Sequence, residues 1–385
     1  MSERKMATIK KIENITPIEG ADKIECLKIL GWQVVAEKGL HKVGDYVVYC
    51  EIDSWIPHGL APFLSKGKEP KEYKEVKGER LKTIRLRGCL SQGLILPYSI
   101  LIETPYTPNY KSIEDAILNI KGLAYNYKTS TINKAELIYQ SNIDLSEVLN
   151  IQKWEAPIPA QLAGKVKGNF PHFIRKTDQE RIQNVWAEYK EKYNDVEFEV
   201  SLKHDGTSFT AYYNNGEFGI CSRNLELVDD NNSYWKISRT CKLEEILKAY
   251  GKNLAMQGEL IGEGIQKNPE NIKGIQLKIF DIYDINLKRH LTPMERWETM
   301  ETLDPEGILF GCCPTMDKNG GLHDHLSTSI TLREFKNIED ILKYAEGDSE
   351  YSNCREGLVF KSMGLIEGQV LSFKAISNKF LEKNQ

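Results

Sequence analysis

Long apolar runs are missing from this chain, and so is any basic segment followed by an apolar one near its start. Without them there is no candidate bilayer span and no secretory leader, so the sequence reads as soluble, intracellular and cytoplasmic. Zinc spacing is absent too: the eight cysteines, at 26, 50, 89, 221, 241, 312, 313 and 354, form no CxxC pair and have no His at ligand spacing. They read as free thiols in a reducing compartment. The adjacent Cys312 and Cys313 suit either redox chemistry or burial, and burial is the commoner fate of small apolar side chains. Nor is there an excess of positive charge. A net charge of −4 excludes a global attraction to nucleic acid, so any such binding must rest on a local patch.

One patch is present. Between Ser65 and Gly88 nine cations (Lys66, Lys68, Lys71, Lys74, Lys77, Arg80, Lys82, Arg85 and Arg87) face four acids (Glu69, Glu72, Glu75 and Glu79), a local excess of 9 − 4 = +5. The same charges would also suit a solvated lysine-rich loop. At 385 residues the chain exceeds a usual single domain, and two folded units joined by a connector are expected.

The opening third consists of short β-prone runs, IKKIENITPI, ECLKILGWQVVAEKG, DYVVYCEID and LKTIRLRGCLSQGLILP, separated by Gly, Pro and Asp turn signals. Five or so such strands suggest an OB-fold β-barrel over residues 1–105, a fold that leaves a face and loops open to nucleic acid. Residues 106–165 read as a connector with two short helices, SIEDAILNIKG and DLSEVLNIQ. From 166 to 385 strand runs alternate with helices such as KLEEILKAYG and TPMERWETMETL, and DQERIQNVWAEYKEKY reads as an amphipathic helix capped by Thr177 or Asp178. The fold class expected is α+β, with antiparallel sheets in this last part.

The tetrapeptide KHDG at 203–206 lies between two β-prone runs, FEVSL and SFTAYY. Taken alone, it is also what an ordinary hairpin turn looks like. Downstream come CSRN at 221–224, QGELIG at 257–262, LKIFDIYDI at 277–285, REGLVFK at 355–361 and SFKAIS at 372–377. This ordered series resembles the six-part signature of the covalent nucleotidyltransferases, the superfamily of ATP-dependent RNA and DNA ligases, NAD-dependent DNA ligases and mRNA capping enzymes. KHDG matches its first motif, KxDG, and the agreement runs from Glu199 to Lys374.

The resemblance implies that Lys203 attacks the α-phosphate of ATP, with Asp205 and Gly206 completing the motif. An attacking amine must be uncharged, so a Lys203 pKa lowered by burial, a metal ion and other cations is expected. By the same resemblance Glu259 contacts the ribose, Arg223 reaches toward the nucleotide sugar and the nucleic-acid end, and Phe280 stacks on the purine, unless Phe280 is simply core. Glu356 serves the metal, Mg2+ or Mn2+, and Lys361 and Lys374 bind phosphate. Relatives often carry two alternating lysines in the last motif, where this chain has Ser372 before Lys374.

Eleven residues follow Lys374, 385 − 374, too few for the C-terminal OB domain of capping enzymes and most DNA ligases. The N-terminal segments, and KTDQERIQN after them, are instead similar to an RNA ligase branch with an N-terminal OB domain that acts on nicks and requires an RNA 3′-OH. That branch implies Glu51 and Asp53 as metal-water contacts, Arg85 and Arg87 as phosphate or RNA contacts, and Arg181 and Asn184 near the nucleotide. The implied partners are an RNA or RNA-containing nicked duplex and enzymes that heal ends, with no membrane; a monomer is the default. A DNA ligase is the nearest alternative, and LRGCLSQGL also resembles the OB-type tRNA-binding domains of non-catalytic binders.

Overall fold

The run YVVYC alternates between two apolar neighbourhoods rather than between core and solvent, and this organises the N-terminal unit. In the computed structural model, which describes residues 4–103, 138–139, 142–155, 166–307, 309–326 and 329–383, Val48 and Cys50 face a cluster with Ile9, Ile56 and Leu81. Val47 and Tyr49 face another with Leu27, Ile29, Trp32 and Ile95. The strand Tyr46–Cys50 lies between Ala7–Lys11 and Leu94–Pro97, antiparallel to both. Beside it stand the meander Asn14–Pro17, Ile24–Ile29 and Trp32–Glu37 and the short hairpin Ile84–Leu86 with Cys89–Ser91.

The basic stretch is not a loop throughout. Lys71–Tyr73 and Val76–Arg80 form a hairpin that continues onto Ser54–Pro57 and Gln152–Lys153. Two of its lysines are held by acids of the same stretch, Lys77 by Glu69 at 2.9 Å and Lys71 by Glu79 at 3.2 Å. The chain divides into compact units at residues 2–157 and 158–384. Ile138, Leu145, Val148, Leu149 and Ile151, expected in a connector, pack into the first cluster of the N-terminal unit.

The expected helix SIEDAILNIKG lies outside the described residues. DLSEVLNIQ is not a helix: Leu149 N–H reaches Leu145 O, but Asn150 and Ile151 turn to Glu147 O and Ser146 O. Gln152–Lys153 then pairs with Trp55 and Ser54, so the sheet ends the turn after one winding.

In the second unit two sheets each turn an apolar face to helices. One runs in the order Val166–Asn169, Leu225–Leu227, Glu217–Cys221, Thr207–Asn214, Leu254–Gly262, Ile275–Asp284, Arg289–His290. The other runs Glu180–Arg181, Gln369–Ile376, Gly357–Ile366, Glu197–Lys203, Thr315–Met316, Leu322–His323. Period-two alternation sets the faces. Phe198, Val200, Leu202, Leu358, Phe360, Phe373 and Ala375 form the core of the second sheet with the helices Ile182–Lys192 and Ile338–Tyr344. Glu199, Lys203, Lys361 and Lys374 are therefore on its other face. In the first sheet Met256, Leu260, Leu277 and Ile279 are core, leaving Gln257 and Glu259 on the opposite face.

The helix expected from 178 begins later, at Ile182, with Arg181 as N-cap and no side-chain cap. Glu180 and Arg181 pair in parallel with Phe373 and Lys374, and the sheet overrides the capping propensity of Thr177 and Asp178. The helix Pro293–Leu303 has a full capping box, Thr292 with Glu295. All eight cysteines are free; burial pushes the thiol of Cys313 up to about 12 and that of Cys312 to about 11, which leaves both inert. Among the described residues no helix is long and apolar enough to cross a membrane.

Candidate active site

KHDG is a crossover and not a hairpin turn. The strand ending at Lys203 pairs with Gly357–Ile366, whereas the strand beginning at Thr207 pairs with Glu217–Cys221 and Leu254–Gly262, so the four residues carry the chain from one sheet to the other. Gly206 is required by close approach: a Cβ there would lie 2.2 Å from Leu260 O and 2.7 Å from Glu259 Cγ. The crossover is thereby pressed against the strand that carries Glu259.

Lys203 and Gly357 are register partners, which puts Glu356 at the side of the amine. Lys203 Nζ donates to Glu356 Oε2 at 2.7 Å, and the lysine side chain keeps 27 % of its surface open to solvent. Burial alone pulls the ammonium down, but Glu356, Glu259 and Asp205 outweigh it and the net direction is up. The lowered lysine expected from sequence is thus not what the side chains produce; three carboxylates around one ammonium hold its proton. The acids carry the opposite strain. Burial and the neighbouring carboxylates push Asp205 up to about 6 and Glu259 up to about 8.

A second group sits on the same unit. Asp178 forms ion pairs with Arg223 Nη2 at 3.5 Å and Lys374 Nζ at 3.6 Å, so Arg223 and Lys374 converge on one carboxylate. Arg223 is 51 % exposed and its charge also acts on Glu259. Arg181 is buried opposite Lys374 in the register, and Asn184 Nδ2 donates to Glu180 Oε1 at 2.9 Å. Asp178 was legible only as a helix cap; the parallel pairing of 180–181 with 373–374 is what brings it here.

Phe280 is half-buried and stands outside the apolar clusters that hold its neighbours Leu277, Ile279 and Ile282, so it is not a core residue. Lys361 does not reach outward. It is 2 % exposed, pairs with Asp281 Oδ1 at 3.0 Å, donates to the Phe280 carbonyl and lies 5.4 Å from the Phe280 ring centroid. Arg296 Nη1 donates to the same carbonyl at 3.3 Å while its Nη2 pairs with Glu199 at 2.5 Å. Two buried cations therefore fix the backbone of Phe280 between the sheets. Alternation in EGLVFK carries this signal, since Leu358 and Phe360 turn to the helix-side core and leave Lys361 facing the other sheet.

In the N-terminal unit Glu51 is buried against Arg4 at 2.6 Å. Asp53, at φ 70°, accepts from Arg80 at 2.5 Å and lies 3.8 Å from Arg4, and Arg80 stacks on Trp154 at 3.6 Å. Arg85 and Arg87 are exposed on the hairpin 84–91, with Arg85 Nη1 donating to Gly88 O.

Among the described residues no three His, Cys, Asp or Glu side chains form a ready cage for a metal ion. Glu356, Glu259 and Asp205 nevertheless gather three carboxyl groups round one cation. That suits an ion of the magnesium type, which keeps much of its water and touches few protein ligands.

The RNA ligase family model matches residues 196–376, and an OB-fold domain model matches residues 6–98. An RNA ligase from Naegleria gruberi is similar over the full length. The apo form of an aspartate-to-alanine variant is 39 % identical, covering 100 % of this chain and 99 % of that chain at a TM-score of 0.75. The same ligase with PPi is 39 % identical, with 99 % of each chain covered and a TM-score of 0.75. A lysine-to-alanine variant of it with ATP and Mn is 38 % identical, with 99 % of each chain covered and a TM-score of 0.74. No match emerged among curated proteins.

Proposed function

The chain belongs to the RNA ligase family, an OB-fold domain followed by an antiparallel-sheet ligase domain, and on that premise we propose that it seals 3′-OH and 5′-phosphate ends, at nicks in duplexes, through a lysyl-AMP on Lys203. The observation that carries this reading is the Lys203 amine held at a sheet-to-sheet crossover against Glu356, beside Glu259 and Asp205.

Lys203 gives up its proton by way of Glu356, which accepts from it at 2.7 Å, and the freed lone pair attacks the α-phosphorus of ATP. A nitrogen–phosphorus bond forms as the bond to the bridging oxygen breaks, and pyrophosphate leaves with the electron pair. Phe280, fixed by Lys361 and Arg296, offers its face to the purine. Glu259 accepts from the ribose hydroxyls, and Arg223, Lys374 and the buried Arg181 compensate phosphate charge, with Asn184 beside them. Lys361, expected on phosphate, also holds the Phe280 carbonyl. Mg2+ or Mn2+, when bound, screens the carboxylates and draws charge from the phosphate; Glu356 is the acid that would serve it. AMP then passes to a 5′-phosphate, and a 3′-hydroxyl displaces it to close the strand.

The N-terminal unit serves the adenylylation step. Of its two acids, Glu51 is buried in its pair with Arg4, whereas Asp53 is partly exposed in its pair with Arg80 and is the one offered to metal-bound water. Arg85 and Arg87 take phosphate. Enzymes that leave 5′-phosphate and 3′-hydroxyl ends would supply the substrate.

The test uses α-labelled ATP and Mg2+ with nicked duplexes carrying either RNA or DNA on the 3′ side. The reading expects label on the protein, then sealing of the nick with the RNA 3′ end. Sealing of the all-DNA nick at equal rate would turn the assignment to a DNA ligase, and no label would leave a nucleic-acid binder.

A further inference from the structure

The residue between the nucleophile and Asp205 is His204. Its side chain is 1 % exposed, and Nδ1 lies 2.8 Å from Glu270 Oε1. Glu270 accepts the Ser349 hydroxyl on its other oxygen. Although burial pushes the Glu270 carboxyl up, these bonds and one from the Tyr351 backbone hold it below its ordinary value. An ionised carboxylate only accepts, so the proton is on Nδ1 of His204. His204 Nε2 and Glu350 Oε2 face one another at 4.0 Å, both buried and without a hydrogen-bond partner among the described residues.

Ser349 and Glu350 stand on the loop that leads into Glu356. That loop is wrapped round Arg355, whose guanidinium donates to the carbonyls of Tyr344, Ala345, Glu346 and Asp348 at 2.6–3.2 Å. A closed circuit results: from Lys203 to His204 along the chain, to Glu270 and Ser349 through hydrogen bonds, through the Arg355-clamped loop to Glu356, and back to Lys203 Nζ at 2.7 Å.

We infer that His204 is a positioning residue, which through Glu270 and Ser349 ties the nucleophile crossover to the loop bearing Glu356 and so sets Lys203 against it. This rests on Lys203 being the nucleophile. His204, Glu270 and Ser349 have no role on the nucleotide in the proposed reaction, so loss of their bonds misplaces the amine and leaves nucleotide affinity alone.

The experiment compares wild type, His204→Leu and His204→Asn in full-length protein, reading self-adenylylation across ATP concentrations and sealing of a pre-adenylylated nick. His204→Leu should lower the adenylylation kcat by about 10- to 100-fold, with KM for ATP and sealing of the pre-adenylylated nick unchanged. His204→Asn, which keeps a donor near the Nδ1 position, should recover most of that loss. A rise in KM, equal loss in both steps, an Asn variant as slow as the Leu variant, or a Leu variant as fast as wild type would each overturn the inference. Should His204→Leu fail to fold, Ser349→Ala carries the test: kcat falls with KM unmoved, or the circuit is rejected. Wild type and Lys203→Ala labelling alike would sink the nucleophile assignment itself, whatever the His204 variants do.

Discussion

Replacing Gly206 by Ala puts the contact between the crossover and the Glu259 strand to a direct test. The added Cβ would lie 2.2 Å from Leu260 O, with Glu259 Cγ and Ile261 Cγ2 at 2.7 and 2.8 Å. A carbon settles at about 3.3 Å from a carbonyl oxygen, so one backbone must retreat from the other by about 1 Å. Leu260 is held in a strand that pairs with the one beginning at Thr207, and overpacking of this kind costs about 1–3 kcal/mol. In a unit of this size each kcal/mol lowers Tm by about 2–4 °C. The retreat moves Lys203 relative to Glu259, and a misplacement of about 1 Å costs roughly 100-fold in rate. Self-adenylylation at saturating ATP, read beside a thermal melt, should therefore fall about 100-fold while most of the protein remains folded at assay temperature. A Gly206→Ala enzyme with wild-type rate and wild-type Tm would refute the close-approach reasoning.

Lys361→Met should cost about 3–5 kcal/mol in urea unfolding, because it strands the buried Asp281 carboxylate; adding Asp281→Asn should return most of it, and a single-variant loss below about 1 kcal/mol would contradict the inter-sheet pair. Glu259 gives a pH signature in EDTA. Its folded pKa is raised from 4.5 to about 8, so the folded state binds the extra proton and the contribution to stability, full below 4.5, is lost as pH rises toward 8. Glu259→Gln should flatten that decline, and a wild-type stability that rises over this window while the variant's does not would reverse the sign. Removing residues 1–157, the whole N-terminal unit, should abolish adenylylation more than sealing of a pre-adenylylated nick; equal losses would deny the unit its role in the first step.

The motif residues were readable because their chemistry depends on residue type and order: Lys203 and Glu259 sit at strand positions that alternation assigns to the polar face, and Glu356 directly precedes the strand that pairs with Lys203. Lys361 shows where that reading stopped. The same alternation predicts a cation facing the other sheet, but not that Asp281 and the Phe280 carbonyl wait there, since those partners lie some 80 residues away. Asp178 and His204 were opaque for the same reason; their partners depend on strand register and on loops that no local pattern specifies. DLSEVLNIQ failed differently. Leu145, Val148 and Leu149 have helical spacing, and they do bury one turn, but the pairing of Gln152 with Trp55 claims the chain before a second turn can form.

The most direct measurement is peptide mass spectrometry of the full-length protein after incubation with ATP and Mg2+, in the absence of nucleic acid. The account predicts AMP covalently attached at Lys203, and none in the Lys203→Ala protein. AMP on a different residue, or an enzyme that seals nicks without ever carrying AMP, would contradict it.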